Sequence, residues 1–323
     1  MNEPSKPAGT RGWDTYWQGT QDADAYASRG ASHPTITSFW RDTLSQILAP
    51  TSNARILDIA TGSGAVVENL FRHSRDPHPD ITCVDISEAA IDSVRRRYPE
   101  ITGVVADALS MPLETSAYDL VTSQFGIEYA GLEALDEAAR LIAPGGALAV
   151  LMHIRPGIIF DECRASLDAV RCVQKAKFIE RSLTFFEAGF AAVRGGDRAP
   201  YEKAGLELNP AIAAMESIMS DLGQDVVGGT IEKLYSDVER IHSRIQHYEP
   251  EEVIEWLRAM AGELTAYAER MASMCEAAVD EKTFSDVTRR LEEQGLTIVQ
   301  AAPLMPAGAS LPVAWILRAV PER

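Results

Sequence analysis

A short turn that contains two glycines follows directly after an apolar run, in the segment RILDIATGSG, residues 55–64. Gly62 and Gly64 have no Cβ, so the backbone there can adopt unusual φ values and approach a ligand closely. Asp58 precedes the turn and supplies a carboxylate. In open α/β sheets the ligand crevice lies beyond the carboxyl ends of the strands, where these residues fall. The segment therefore predicts a cofactor site.

Two more acidic residues end the next two apolar runs. Asp85 lies in CVDIS, residues 83–87, and an acid that ends a second strand suits hydrogen bonding to both hydroxyls of a ribose. Asp107 lies in VADAL, residues 105–109, where it can accept from an adenine amino group while Ala108 and Leu109 pack on the ring. The capping of a helix or the closing of a surface turn is the structural alternative for each acid.

The elements that must position these residues alternate in type along residues 54–154. Short apolar runs predict strands and periodic stretches predict helices, and this βαβ alternation is typical of a parallel sheet with right-handed crossovers. The predicted strands are 56–60, 81–86, 103–106, 120–123 and 147–153, and the predicted helices between them are 64–73, 88–98 and 134–142.

A long helical stretch then interrupts the α/β pattern. Its predicted helices cover 161–178, 179–193, 210–222, 231–247 and 251–279, after which two strands return near 296–301 and 313–319. The predicted domains are an N-terminal leader with cap helices over residues 1–50, an α/β domain over 51–154 and 281–323, and an all-α insertion over 155–280. Because the insertion is far longer than a simple connection, it predicts a substrate lid, and a homodimer through its apolar stripes is the alternative.

In order and spacing, the glycine turn, Asp85, Asp107 and the Pro-Gly-Gly turn at 144–146 resemble the class I S-adenosylmethionine-dependent methyltransferase family, in its small-molecule type. The resemblance covers about half of the chain. It implies a Rossmann-like, doubly wound, mostly parallel seven-stranded sheet, with the insertion before the last two strands. Ala60 stands where the family's first glycine is usual.

The resemblance also implies roles for individual residues around S-adenosylmethionine. The methionine moiety, the ribose, the adenine and the sulfonium each have their own group of residues, and an N-terminal helix folds over the cofactor. The residues are, in that order, Asp58, Ala60, Thr61, Gly62 and Gly64; Asp85; Asp107 and Ala108; Gln124; and Trp17 on the N-terminal helix. Ile86 and Phe125 are further candidates for cofactor binding, and packing in the core or cap is the alternative for Trp17.

Three residues beside the expected transfer point are candidates for catalysis. His153 ends the fifth strand, and histidine is a side chain suited to acid–base catalysis, while Glu128 and Tyr129 follow the fourth strand and can line an acceptor pocket. A strand-end histidine with a purely structural role and an ordinary surface loop are the alternatives. The sulfonium already activates its methyl group, so in-line alignment is the main task of such an enzyme. No carboxylate cluster or Cys/His set follows the fourth strand, and we expect no metal.

Composition restricts the partners. The net charge of −17 disfavours nucleic acid, because nucleic-acid binders neutralise phosphates with a basic surface. The four cysteines form no disulfide framework, and the apolar runs are too short to span a membrane. A cytoplasmic protein that acts on a small-molecule acceptor is therefore the prediction.

Two other functions remain open from the sequence. A nicotinamide-dependent oxidoreductase would need a third glycine at position 67 to complete GxGxxG, and this chain has Val67 there. A non-catalytic cofactor-binding protein that dimerises through the insertion is the other alternative.

Overall fold

The computed structural model describes residues 33–48, 53–73 and 79–322. The chain divides into two compact units, which are 1–161 together with 273–323, and 162–272. We refer to them as the sheet unit and the helical unit.

The sheet unit contains one seven-stranded sheet in the order β3-β2-β1-β4-β5-β7-β6. β7 is antiparallel to both of its neighbours, and the other pairs are parallel, so the predicted mostly parallel, Rossmann-like α/β class is confirmed. The strands are β1 Arg55–Ile59, β2 Asp80–Asp85, β3 Thr102–Val105, β4 Tyr118–Gln124, β5 Ile142–Met152, β6 Leu296–Leu304 and β7 Ala314–Pro321.

The Pro-Gly-Gly turn at 144–146 lies between the predicted helix 134–142 and the predicted strand 147–153, but the structure does not make it a boundary between two elements. It lies inside β5, where the pairing with β4 jumps from Tyr118–Ile142 to Leu120–Ala147. Gly145 adopts a φ of 83°, which a residue with a side chain rarely accepts. The turn is therefore a bulge that re-registers β5, and the strand reaches the crevice five residues beyond it at Leu151, opposite Gln124.

Helices pack against the sheet on the apolar sides of its strands. In the sheet unit they are α1 Pro34–Ile47, α2 Ala65–His73, α3 Glu88–Arg97, α4 Ile127–Ala130, α5 Ala134–Leu141 and α11 Glu281–Glu293. The core combines the strand interiors with these helices, and Phe284 of α11 stacks on Trp315 of β7 at 4.2 Å between ring centroids. α1 lies within residues 1–50, where the sequence predicts cap helices, whereas Trp17 lies outside the described residues.

The helical unit is built from five helices, of which the first and last continue into the sheet unit. They are α6 Ile158–Lys175, α7 Phe178–Val193, α8 Ala199–Leu222, α9 Thr230–Ser243 and α10 Pro250–Ala277. The unit has its own core, in which Phe186, Leu234 and Leu257 are fully buried. This separate core explains why the insertion reads as an independent amphipathic block in the sequence.

The predicted start of a helix at Pro210 is wrong. α8 begins eleven residues earlier, at Ala199, and passes through Pro210 without ending. Proline is favoured in the first helical turn, which explains the error, and Pro200 already occupies that place. Because proline has no amide hydrogen, the carbonyl of Leu206 lacks its usual donor four residues on.

None of the helices in the described ranges is long and apolar enough to cross a lipid bilayer.

Substitution of Pro210 by alanine should stabilise the helical unit. The side chain of Pro210 is exposed, so little packing is lost, and the helix regains the hydrogen bond to Leu206. We expect a net gain of about 1–2 kcal/mol after the greater freedom of the unfolded chain is subtracted. Urea unfolding of the full chain measures it, and a lower unfolding free energy for Pro210→Ala would show that the proline relieves strain instead.

Candidate active site

Four neighbouring parallel strands bring the predicted site residues to one edge of the sheet. β2, β1, β4 and β5 lie side by side, and their carboxyl ends lead to Asp85, to the Ala60–Gly64 turn, to Gln124 and to His153. All of these residues belong to the sheet unit. The sheet thus forms a crevice of the kind that binds ligands at the carboxyl ends of strands.

The carboxylate of Asp85 holds the glycine turn and the start of the next helix together. Its Oδ2 accepts the N–H of Gly62 at 2.9 Å, and its Oδ1 accepts the N–H of Ser87 at 2.9 Å. Ser87 then caps α3 by accepting from Ala90. A carboxylate can accept several hydrogen bonds, and the contact of Asp85 with ribose hydroxyls stays a prediction.

Asp58 is buried below the turn. Its Oδ2 accepts the hydroxyl of Thr61 at 2.7 Å, and its Oδ1 accepts the hydroxyl of Thr122 at 2.9 Å. Burial, only partly offset by these two hydrogen bonds, raises the pKa of Asp58 to about 7. The structure gives Asp58 the task of bracing the turn against β4, and its contact with a methionine moiety stays a prediction.

Three residues of the turn adopt the left-handed backbone conformation. Ala60, Gly62 and Gly64 have φ values of 53°, 52° and 86°. For Ala60 this conformation costs free energy that a glycine would not lose. The loop after β4 makes room for it, because a Cβ added to Gly126 would lie 2.5 Å from the Cβ of Ala60 and 2.8 Å from its carbonyl oxygen.

Gln124 and Phe125 end β4 beside the turn. The side-chain oxygen of Gln124 accepts the indole N–H of Trp40 at 2.5 Å, and Trp40 is fully buried on α1. Phe125 has a φ of 53°, and its ring centroid lies 4.5 Å from that of His153. Gln124 is therefore held in place from outside the sheet.

Glu128 and His153 form a buried pair. Oε1 of Glu128 lies 2.6 Å from Nδ1 of His153 and accepts the backbone N–H of His153 at 2.9 Å. The two side chains are 0% and 1% exposed, respectively. Tyr129 packs edge-on against the imidazole, with 5.7 Å between ring centroids. The three candidate catalytic residues thus form one cluster, in which a carboxylate fixes the orientation of a histidine.

The second oxygen of Glu128 has no such bond. Oε2 is buried and has no hydrogen-bond partner among the residues that the structure describes. A buried acceptor without a donor costs free energy. Oε2 is therefore suited to accept a hydrogen bond from a bound molecule.

The predicted adenine residues follow β3. Oδ1 of Asp107 accepts the N–H of Leu109 at 2.9 Å, which closes the turn, and the N–H of Ala106 donates to the carbonyl of Asp85 at 3.0 Å. Ala108 is buried in the core, whereas Ile86 and Leu109 are 49% and 46% exposed. Ile86 follows Asp85 directly and Leu109 lies two residues after Asp107, and the binding of these residues to adenine stays a prediction.

Three site residues were not identified from the sequence. Gly126 follows Phe125 directly, so a second glycine after a strand was a usable signal. Thr122 and Trp40 offered none, because their partners Asp58 and Gln124 lie 64 and 84 residues away. In the described ranges no group of three or more His, Cys, Asp or Glu residues is arranged to hold a metal ion.

Residues 56–146 match the family model described as a methyltransferase domain. The ubiquinone/menaquinone biosynthesis C-methyltransferase of Cereibacter sphaeroides is 32% identical over 120 residues, which are 35% of this chain and 47% of that protein. The demethylmenaquinone methyltransferase of Thermus thermophilus is 35% identical over 118 residues, covering 35% and 53% of the two chains. Among solved structures, the N-methyltransferase NodS of Bradyrhizobium japonicum is 19% identical, with a TM-score of 0.35 over 43% of this chain and 72% of that one.

The Rossmann-like fold and the family match place residues 56–146 in the class I S-adenosylmethionine-dependent methyltransferase family, as the sequence predicted. S-adenosylmethionine is the cofactor of that family. The match spans about half the length of the curated relatives. The helical unit lies outside the matched residues, and its predicted roles as a lid or as a dimer interface stay predictions, as do the cytoplasmic location and the exclusion of nucleic acid.

The contact between Ala60 and Gly126 predicts a coupled pair of substitutions. Gly126→Ala should destabilise the protein by about 2–3 kcal/mol, because the new methyl group overlaps Ala60. Ala60→Gly alone should change little, and the double variant should recover part of the loss but not all of it, since the carbonyl of residue 60 remains in place. Thermal or urea unfolding measures the cycle.

Gly262→Ala is the matched control, because a Cβ at Gly262 on α10 meets nothing within 4 Å. It should be neutral or stabilising by up to about 1 kcal/mol. Additive effects of Gly126→Ala and Ala60→Gly would contradict the contact.

The raised pKa of Asp58 predicts how stability changes with pH. From its ordinary pKa of 3.8 to about 7, the unfolded chain releases the proton that the native state retains. The contribution of Asp58 to the unfolding free energy is therefore complete below about pH 4. It is lost as the pH rises to about 7, at no more than about 1.4 kcal/mol per pH unit. Asp58→Asn should remove this decline from the unfolding free energy, whereas Asp80→Asn, at the exposed start of β2, should retain it. An identical pH profile for wild type and Asp58→Asn would refute the assignment.

Proposed function

We propose that this protein is an S-adenosylmethionine-dependent methyltransferase that acts on a small-molecule acceptor. The observation that carries the proposal is the hydrogen bond from Gly62 to Asp85, because it joins the glycine turn of β1 to the acid of β2 in one cofactor crevice. The family match over residues 56–146 supports the same reading. The nicotinamide alternative has no comparable support, since Val67 interrupts its fingerprint.

The crevice fits the cofactor in three respects. The left-handed turn at Gly62 and Gly64 lets the backbone approach a methionine moiety closely. The carboxylate of Asp85, at the end of β2, supplies oxygen acceptors for the ribose hydroxyls. Ile86 and Leu109 present exposed apolar surface for the adenine ring. When bound, the cofactor supplies an activated methyl group, and this chain's residues align the acceptor with it.

Glu128 and His153 suit the removal of a proton from the acceptor. Glu128 orients the imidazole through Nδ1, as the acid does in a Ser-His-Asp triad, and in this proposal the proton of the methyl acceptor goes to Nε2. The histidine removes the proton from an acidic hydroxyl of the methyl acceptor. The unpartnered Oε2 of Glu128 accepts a hydrogen bond from a second polar group of the same molecule. Both side chains are enclosed, so an acceptor that reaches them is shielded from water.

A phenol-type acceptor satisfies this chemistry best. Loss of a phenolic proton raises the electron density on the ring oxygen and on the neighbouring ring carbons, which makes either a nucleophile for the methyl group. The relative in Cereibacter is named for ubiquinone and menaquinone biosynthesis and the one in Thermus for demethylmenaquinone, and the reduced forms of such quinones carry phenolic hydroxyls. We therefore propose a hydroxylated aromatic ring as the acceptor.

Binding of S-adenosylhomocysteine tests the cofactor site. Wild type should bind it in a calorimetric titration, and Asp85→Asn should weaken the affinity by roughly 10- to 100-fold, because a charged acceptor is lost and the turn loosens. Asp80→Asn, at the opposite end of the same strand, should bind like wild type. Binding of NAD instead of S-adenosylhomocysteine, or of neither, would show that the proposed function is wrong.

The rate of S-adenosylhomocysteine release with phenolic acceptors tests the histidine. His153→Ala should lower kcat by roughly 10²- to 10⁴-fold and leave the affinity for S-adenosylhomocysteine unchanged, and added imidazole should restore part of the rate. Glu128→Gln should lower kcat and displace its pH profile. His247→Asn, exposed in the helical unit, is the control. Wild-type kcat in a folded His153→Ala variant would mean that the pair is structural.

A further inference from the structure

The helical unit contains a cavity of its own. It has a volume of about 590 Å³ and lies between α7, α8 and α9. Phe178, Phe185, Leu208 and Val238 form buried apolar walls. The volume falls within the range of small-molecule sites, which are typically apolar with a few polar groups that orient the ligand. All of its lining residues lie within 162–272, so the cavity is not part of the crevice in the sheet unit.

Aromatic rings line one side of the cavity. The ring centroid of Phe185 lies 5.0 Å from that of Tyr201 and 4.9 Å from that of His242. The hydroxyl of Tyr201 and Nε2 of His242 are 2.6 Å apart, which holds α8 and α9 together across the cavity wall. The faces of phenylalanine and tyrosine rings carry partial negative charge and attract cations.

The charged lining is entirely acidic. Glu202 and Glu239 line the cavity, and no lysine or arginine is among its lining residues, all of which the structure describes. Arg198 lies 4.0 Å from Glu202, but both side chains are largely exposed, so water and salt weaken that pair. The cavity therefore attracts positive charge.

Two neighbouring residues of α8, Gly205 and Leu206, also line the cavity. The side chain of Leu206 is 72% exposed although it is apolar. Gly205, one residue earlier, has no side chain to fill the space in front of Phe185.

We propose that this cavity binds a small hydrophobic cation, namely an amine or quaternary ammonium that carries an aromatic ring. The ring lies in front of Phe185, in the space that Gly205 leaves open, while the positive charge lies between the carboxylates of Glu202 and Glu239 and next to the aromatic wall. Acidic and aromatic groups in one apolar cavity complement such a ligand and oppose an anion. The site is independent of the methyl-transfer chemistry proposed for the sheet unit.

Three probes of one size test the charge preference. They are 2-(1-naphthyl)ethylamine, 2-(1-naphthyl)ethanol and 3-(1-naphthyl)propanoate, titrated calorimetrically into the full chain at low salt. The amine should bind at least roughly tenfold tighter than the alcohol, and the carboxylate weakest. In the double variant with Glu202→Gln and Glu239→Gln, the amine should bind about as tightly as the alcohol, and the affinity for the alcohol should stay unchanged. Glu187→Gln, an exposed substitution on α7 outside the cavity, should retain the preference.

Gly205→Leu assigns the binding to this cavity. The leucine side chain occupies the space before Phe185, so all three probes should lose affinity, while Gly205→Ala, whose Cβ makes only ordinary contact at 3.5 Å, should remain folded and bind. Circular dichroism confirms folding. Equal or tighter binding of the alcohol or the carboxylate, or unchanged amine binding in Gly205→Leu, would overturn the proposal. A third result would also overturn it. If no probe binds, and if sedimentation shows a dimer of the wild type that Gly205→Leu dissociates, the cavity receives a second copy of the chain instead of a small molecule.

Discussion

The site depends on one carboxylate, that of Asp85. It accepts the amide of Gly62 from the neighbouring strand's turn and the amide of Ser87 at the start of α3. The carboxylate of Asp85 thereby joins the turn after β1, the end of β2 and the start of α3, and it fixes the backbone of the turn at the crevice. Hydrogen bonds to a charged acceptor are about twice as strong as neutral ones, which is why a single side chain can impose this geometry.

The turn also creates costs that neighbouring residues accommodate. Asp58 is buried below it, and burial raises its pKa to about 7, so the protein carries a carboxyl group whose ionisation opposes folding near neutral pH. Ala60 adopts left-handed backbone, and only the missing side chain of Gly126 allows that close approach. Strained backbone and a shifted pKa are typical of functional sites, because a stable scaffold elsewhere can support them. Here the support is the buried parallel sheet.

The two units divide the chain's chemistry. The sheet unit holds the methyltransferase-family segment and the enclosed pair of Glu128 and His153. The helical unit holds a cavity with an aromatic and acidic lining. Each unit has its own apolar core, so the packing that supports the pair and the packing that supports the cavity are separate.

The sequence by itself determined the α/β class and most of the strands and helices, and it predicted the residues of the candidate cofactor crevice. These follow from short-range patterns: apolar periodicity, a glycine turn after a strand, and acids at the ends of successive strands. Only the tertiary structure decided what these groups contact. The bond from Trp40 to Gln124 and the bond from Thr122 to Asp58 join residues 84 and 64 positions apart, and α8 passes through Pro210. Such contacts depend on how separate elements pack, and packing can override the local preference of any single residue.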